Sequence, residues 1–529
     1  MRRRPAFALT WVVPFVLFVA AKSLLQTDEV GQHLSATLLP EWLLNTVRLA
    51  LGVGVGVLLV GVSLAWLTAL HHFPGRGWLE WGLVLPLAIP PYITAFVCIG
   101  LLDFAGPVQT SLRGWLGVDW MAYFPPIRST GGVIVVMTLA LYPYVYLLAR
   151  NAFLTQGRHL METAQALGCG RVRAFFRVVL PMARPWIASG VALALMETLS
   201  DFGTVSIFNY DTLTTAIYKA WFGFFSLETA AKLALLLIAV SLCVFLAASC
   251  SGTRHVQMGA ARDHRAMLSG PWKWLACGYA FTLFAVAVLV PVGQLLVWAA
   301  HTFAEDLDAR YARYVGHALL LGAASAFLLA SAALLLVFLR RRSPRLGVVV
   351  HFLSLGYALP GAVLAVGVFM ALAAANAQFA QWTHALPNAA APMLNGTLFA
   401  LLLAYAIRFF AVAHGPVEGA MKRIPIHLEE AARGMGCGGL ALVGKLYLPA
   451  MRGGVLTAAL MVFVDVMKEM PMTLMMRPFG WDTLSTRIFE MTSEGQWERA
   501  ALPALGLVLA GCLPVAFFAK MECRREGGP

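Results

Sequence analysis

Charge is what this sequence has least of. Asp, Glu, Lys and Arg make up 12% of its 529 residues and the hydrophobic set makes up 60%, whereas an average soluble domain carries roughly 25% charged residues. That balance excludes an ordinary water-soluble globule and leaves a polytopic membrane protein. The eight cysteines include no CxxC pair, and nearly all fall in apolar runs or in segments assigned below to the cytoplasm, so neither a disulfide framework nor a zinc site is indicated. No nucleophile, metal-ligand cluster or cofactor loop stands out, which leaves an enzyme reading without an anchor. The stretch "GLALVGKL" (439–446) approaches a phosphate-binding GxxxxGK(S/T) loop, but Leu446 replaces the hydroxyl that would hold magnesium and no strand precedes it.

The net charge of +13 comes as short basic clusters at the ends of apolar runs. Basic residues interleaved with aromatics on one face, the mark of nucleic-acid binding, are not found. The start "MRRRPAFALTWVVPFVLFVAAKSLL" has the charged beginning of a signal peptide, but its apolar run is long and no small-residue cleavage site follows, so it is expected to stay as a first helix.

Runs long enough to cross a bilayer, about 20 residues each, lie near 6–25, 43–70, 78–102, 131–149, 186–207 and 230–250. A second set lies near 272–298, 315–339, 346–374, 393–413, 453–475 and 500–519. The expectation is an all-α polytopic membrane protein with about twelve transmembrane helices and both termini on one side. With the N-terminus inside, 27 of the 39 Lys and Arg fall in inside segments, Arg408 among them, against nine outside. Basic residues are retained on the cytoplasmic side, and a missed span would invert every later loop, so the asymmetry supports the count.

The two sets of six are copies. "METAQALGCGRVRAFFRVVLP" (161–181) returns as "EEAARGMGCGGLALVGKLYLP" (429–449), an offset of 268, and "AIPPYITA" (88–95) returns as "ALPGAVLA" (358–365). "ETLSDFGT" (197–204) aligns with "DVMKEMPM" (465–472), and "TLTTAIY" (212–218) with "TLSTRIF" (483–489). A chain of two similar halves reads as a fused pseudo-dimer with a pathway at their interface. The expected division is a first half at 1–251, a polar linker at 252–271 and a second half at 272–529. In both copies of the 161–181 pattern a short helix (159–167; 427–435) meets a glycine break, and a second amphipathic helix ends near proline. Glycine permits the sharp turn and proline suits a helix start. Both copies fall on the inner face, between the fourth and fifth helix of their half, as rigid knobs offered to something in the cytoplasm.

The residues Glu162, Ala164, Gly168 and Pro181, with Glu430, Ala431, Ala432, Gly436 and Pro449, resemble the EAA loop of binding-protein-dependent ABC importer permeases. The first copy has Thr163 where alanine is usual. The resemblance implies that loops 159–185 and 427–452 each form a coupling helix seated in a cytoplasmic ATPase, so that one chain carries two copies of that subunit. It implies that this chain binds no cofactor, that ATP and Mg are used by the partner ATPase, and that a periplasmic binding protein delivers the substrate. The place it implies is a bacterial inner membrane, with lipid around the helices, both termini cytoplasmic and no nucleic-acid partner.

Ionisable residues are costly in mid-bilayer, about 2.5 to 3.5 kcal/mol on insertion scales. The fifth helix nevertheless carries Glu197 and Asp201, and the eleventh carries Asp465 and Glu469 beside Lys468. Each pair is four residues apart and therefore on one helical face. Carboxylate oxygens suit hard cations, so the four form a candidate transient metal pathway; the alternative is that they satisfy neighbouring helix ends or pair with Lys468. The segments 197–223 and 468–490 resemble those of ferric iron permeases, which implies Fe(III) as substrate. Relatives for thiamine, polyamines, phosphonates and sulfate share the scaffold, and an ion-gradient-driven secondary transporter would explain the acids but not two matched knobs. Met467, Met470, Met472, Met475 and Met476 are expected as apolar filler, His71 and His72 as a solvated turn, and Glu305, Asp306 and Asp308 as water-facing.

Overall fold

The computed structural model describes residues 34, 37–117, 124–249, 266–383 and 393–526. The expected first span at 6–25 and most of the linker lie outside the described residues. The first half supplies α1 (Leu39–Leu70), β1 (His71–His72), α2 (Arg76–Gly82), α3 (Pro91–Leu102), α4 (Pro107–Leu116) and α5 (Thr130–Ala152). It continues with α6 (Arg158–Ala166), α7 (Arg171–Ala174), α8 (Leu180–Ser200), α9 (Gly203–Ile207), α10 (Leu213–Tyr218) and α11 (Leu227–Ser249). After β2 (Ala266–Met267), the second half supplies α12 (Trp272–Phe284), α13 (Val290–Asp306), α14 (Ala309–Arg342), α15 (Gly347–Ser354), α16 (Gly361–Thr383) and α17 (Leu398–Lys422). It ends with α18 (Ile426–Gly434), α19 (Gly439–Leu442), α20 (Leu448–Lys468), α21 (Pro471–Met476), α22 (Leu484–Ser493) and α23 (Ala501–Glu526).

Ten helical stretches among the described residues are long and apolar enough to span a membrane, and the apolar part of α23 (Ala501–Pro514) is shorter. Together these match eleven of the twelve expected spans. Two expected spans are broken in the middle, at equivalent places. Between α2 and α3 the chain passes through a 3-10 turn (Leu85–Ala88), and between α15 and α16 through another (Leu355–Ala358). Ile89 and Leu359 then turn extended, with ψ of 116° and 136°. Each precedes a proline, Pro90 or Pro360, whose ring disfavours the helical region for its neighbour.

Two more spans stop earlier than expected. α8 ends at Ser200 and Asp201 is extended (φ −72°, ψ 119°); α20 ends at Lys468 and Glu469 is extended (φ −68°, ψ 115°). Asp201 and Glu469 are therefore not on the same helical face as Glu197 and Asp465, as the four-residue spacing implied. They are the hinge residues between α8 and α9 and between α20 and α21.

The halves interlock. One core joins α1, α3, α5 and α8 of the first half to α12, α13, α22 and α23 of the second; the other joins α10 and α11 of the first half to α14, α16, α17 and α20 of the second. Small residues let backbones meet across the seam. A Cβ on Gly511 in α23 would stand 2.0 Å from the carbonyl oxygen of Ala88. Outward-facing leucines and phenylalanines such as Leu51, Leu59, Phe327 and Leu509 stay at least 65% exposed, which suits hydrocarbon and not water.

Several local expectations change. Arg408 lies near the middle of α17 and is buried, because that helix runs on to Lys422, so it leaves the tally of inside charges. His71 and His72 pair in parallel with Ala266 and Met267, and His71 packs edge-on against Trp66. Asp308 caps α14 by accepting from the Tyr311 N–H at 2.8 Å. The five methionines are all buried, as filler should be.

The α6–α7 and α18–α19 elements sit at the same end of the bundle. Phe175, just after α7, packs against Trp66 near the C-terminal end of α1, and α2 follows from that end. Trp81 of α2 and Leu428 and Leu446 of the second loop line one cavity of about 660 Å³. In a background with all other cysteines removed, a membrane-impermeant maleimide is expected to label Cys169 and Cys437 from the same side of a sealed vesicle. Labelling from opposite sides contradicts the arrangement.

Candidate functional site

The two loops are built alike to the level of single hydrogen bonds. α6 ends on Gly168 at φ +83° and α18 on Gly436 at φ +82°, a left-handed conformation that L side chains resist. The Cys169 N–H donates to the Ala164 carbonyl at 2.9 Å, and the Cys437 N–H donates to the Ala432 carbonyl at 2.9 Å. This is a glycine-dependent helix C-cap that satisfies the last free carbonyls. A Cβ at either glycine would meet nothing within 4 Å, so the constraint is one of backbone conformation and not of space. Ala164 and Ala432 are buried under the turn, while Glu162, Glu430 and Ala431 face outward. Just before each glycine stands an exposed apolar side chain, Leu167 at 81% and Met435 at 78%.

The proline does not end the second helix of either loop, as expected from sequence. α7 runs through a π turn (Phe175–Val179) into α8, and α19 through a π turn (Val443–Tyr447) into α20. Pro181 and Pro449 sit in the first turn of the long helices that follow, where a missing N–H is tolerated when a π turn shifts the bonding register. Each loop is thus continuous with a rod of 21 residues, about 30 Å at 1.5 Å per residue. The near-match to a phosphate loop at 439–446 falls inside this helical run, and so is not a loop at all.

The loops are anchored differently. Glu429 of α18 pairs with Arg341 at the end of α14 (2.8 Å) and with Arg433 (2.6 Å). Burial works against its charge, but the Tyr447 hydroxyl, Arg341 and Arg433 outweigh that and hold its carboxyl below the usual range. At the matching position of the first loop stands Met161, packed against the apolar core. Its neighbourhood is aromatic, with Phe175 against Trp66 and Phe153 at ring-centre distances of 5.6 and 5.8 Å.

The far ends of the rods carry the acids. Asp201 folds onto α9, its two oxygens accepting from the Thr204 N–H and hydroxyl, both at 2.7 Å. Glu469 folds onto α21 and accepts from the Met472 N–H at 3.2 Å, with its other oxygen 3.4 Å from Arg408 Nε. Glu197 accepts a hydrogen bond from Tyr357 and lies within electrostatic reach of Arg408, Glu469 and Lys468. Asp465 feels Lys468, Glu197, Arg408 and Glu469. Lys468 Nζ crosses to the other half and donates to the Leu87 carbonyl at 3.0 Å, while the Tyr92 hydroxyl donates to the Lys468 carbonyl at 3.4 Å. The repeat aligns Leu87 with Tyr357, so both crossings of the seam use the turn before a broken helix.

The structure thus brings all four predicted carboxylates into one electrostatic neighbourhood at the interface of the halves. It does not gather them around one point: among the described residues no three His, Cys, Asp or Glu side chains are placed to hold a metal ion. Asp201 and Glu469 are occupied as helix caps, whereas Glu197 and Asp465 lie within α8 and α20. Arg408, Tyr144 and Tyr357 were missed from sequence. All three belong to this neighbourhood, and the arginine sat in plain view within the apolar run "LLLAYAIRFFAVA".

Residues 58–250 match the family described as binding-protein-dependent transport system inner membrane component. The Fe(3+)-transport system permease protein FbpB 2 of Haemophilus influenzae is 29% identical over 98% of this chain and 99% of its own length. The molybdenum transport system permease protein ModB of Escherichia coli K12 is 30% identical over 32% of this chain and 72% of its own length. The sulfate transport system permease protein CysT of the same organism is 31% identical over 27% of this chain and 50% of its own length.

Because only backbone conformation holds the loop glycines, Gly436→Ala is expected to cost about 1 kcal/mol and to loosen the turn. Gly444→Ala, where a Cβ also meets nothing but φ is helical, is expected to be neutral to slightly stabilising. Thermal unfolding in detergent and limited proteolysis at 434–440 separate the two; equal effects contradict the capping role.

Proposed function

The chain belongs to the binding-protein-dependent transport system inner membrane components, and from that premise we propose that it is a fused two-half permease of an ABC importer for Fe(III). The family makes it a multi-pass transport subunit that works with an ATPase and a binding protein. The finer reading places two copies of the ATPase on α6–α7 and α18–α19 and a periplasmic binding protein at the opposite end. It also puts both chain termini in the cytoplasm of a bacterium, with the bundle in the inner membrane. The observation that carries it is the pair of identically capped loops, each continuous with a rod that ends on the interfacial carboxylates. Glu162, Ala164, Gly168 and Pro181 and their mates Glu430, Ala431, Ala432, Gly436 and Pro449 shape the handles. ATP-driven approach of two ATPases would draw these handles together, and α8 and α20 would carry the motion to the seam.

For the substrate, the electrostatics favour a cation. Four carboxylates, Glu197, Asp201, Asp465 and Glu469, face two cations, Arg408 and Lys468. An oxyanion such as molybdate or sulfate would meet repulsion there, whereas a hard, highly charged metal ion finds carboxylate and phenol oxygens. The full-length likeness to an Fe(3+)-transport permease agrees with this. ATP and magnesium belong to the partner ATPase, and this chain needs no cofactor of its own.

The test is uptake of radioactive iron by vesicles reconstituted with the permease, its ATPase and its binding protein. ATP-dependent Fe(III) entry is expected, with no entry of molybdate or sulfate. Glu197→Gln combined with Asp465→Asn is expected to lower the iron rate at least tenfold while the ATPase still co-purifies. Molybdate or sulfate entry in place of iron would overturn the substrate assignment, and iron uptake that persists without the ATPase would favour a gradient-driven carrier.

A further inference from the structure

Arg408 breaks the symmetry of the interface. Thr397 and Ser129 cap α17 and α5 at positions 268 apart, which sets Arg408 opposite Ala140, so the second half alone carries a cation at this position. The residue is 9% exposed. Its Nε stands 3.4 Å from Glu469 Oε2, beyond the 2.7 to 2.9 Å of a firm charge-assisted hydrogen bond, and neither Nε nor Nη1 has a hydrogen-bond partner among the described residues. A buried guanidinium with free donors is a costly thing to keep. The space around the pair is also reserved: a Cβ on Gly361, the first residue of α16, would come within 2.5 Å of both Arg408 Nη1 and Glu469 Oε1. The second piece of the broken helix thus begins with a glycine where the ion pair lies, and the arginine reaches electrostatically to Glu197 and Asp465 as well.

We propose that Arg408 is a specificity-determining residue, a tethered cation that occupies the carboxylate neighbourhood between transport events and yields only to a multiply charged metal ion. The inference rests on the cation reading above. Its physical basis is the scaling of ion attraction with charge. A trivalent ion gains roughly three times what a guanidinium or a sodium ion gains from the same carboxylate at the same distance. A monovalent ion therefore has nothing to offer Glu469 that Arg408 does not already supply, whereas a trivalent ion outcompetes it. The loose 3.4 Å geometry makes the exchange feasible without unpacking α17.

The experiment reads cation leak in sealed vesicles holding the full complex, with no iron present, using a trapped dye that responds to Na+. Wild type and R408K are expected to exclude Na+, and R408Q to admit it at least tenfold faster. The double variant R408Q/E469Q is expected to fall back toward wild type, since the carboxylate that draws the ion is gone. R408Q as tight as wild type, R408K as leaky as R408Q, or a double variant as leaky as R408Q would each overturn the proposal; the last is what a merely structural role produces. The leak is measured without iron, so absence of iron uptake by the wild type would refute the Fe(III) reading without deciding the role of Arg408.

Discussion

Inside a bilayer a helix can break only where other groups take up the backbone donors and acceptors it releases, and the described residues contain four such breaks at one seam. Three of the four are answered by named side-chain partners. The Leu87 carbonyl takes the Lys468 ammonium, and the Lys468 carbonyl takes the Tyr92 hydroxyl. The Leu199 carbonyl takes the Thr214 hydroxyl at 3.0 Å, and the Glu469 carbonyl takes the Thr473 and Ser485 hydroxyls at 2.7 and 3.0 Å. The N–H groups of Thr204 and Met472 are met by Asp201 and Glu469. The acids that first read as pathway ligands thus also have a structural duty: without them α9 and α21 would begin with bare donors.

That structural duty explains the geometry of the site. A protein that needs carboxylates in mid-membrane must hold them, and the short helices after each rod do so. It also explains why the two acids inside the rods, Glu197 and Asp465, differ from the two at the hinges. The rods then make the loops and the seam mechanically one object. The anchors at the loop end are unequal, ionic at Glu429 and aromatic at Phe175, so the two loops need not answer salt or temperature in the same way.

Much of this was legible in the sequence, and the misses have physical causes. The spans, the duplication and the loop positions came from apolar runs and a fixed offset, signals that tertiary packing leaves intact. Pro90 and Pro360 lie within the repeated segments, but apolar composition alone does not distinguish a continuous span from two half-helices. Glu197 and Asp201 share a helical face by spacing, yet one is helical and the other extended, a difference set by the contacts of Asp201 with Thr204 and the next helix. Arg408 was assigned to the inner surface because its apolar run was taken to end at 413, whereas α17 continues through Pro416 to Lys422. The interlocking of the halves leaves no trace in a hydropathy profile.

The central claim is that the loop-to-seam rods move as units. Its most direct measurement is the distance between spin labels on exposed rod positions, Leu193→Cys in α8 and Leu456→Cys in α20, in vesicles with the ATPase partner. The account predicts one distance distribution without ATP and a second, shifted by several ångström, when ATP is bound but not hydrolysed, with the shift lost when the loop turns are stiffened out of register by Gly168→Pro and Gly436→Pro. An unchanged distance in a complex that transports would contradict it.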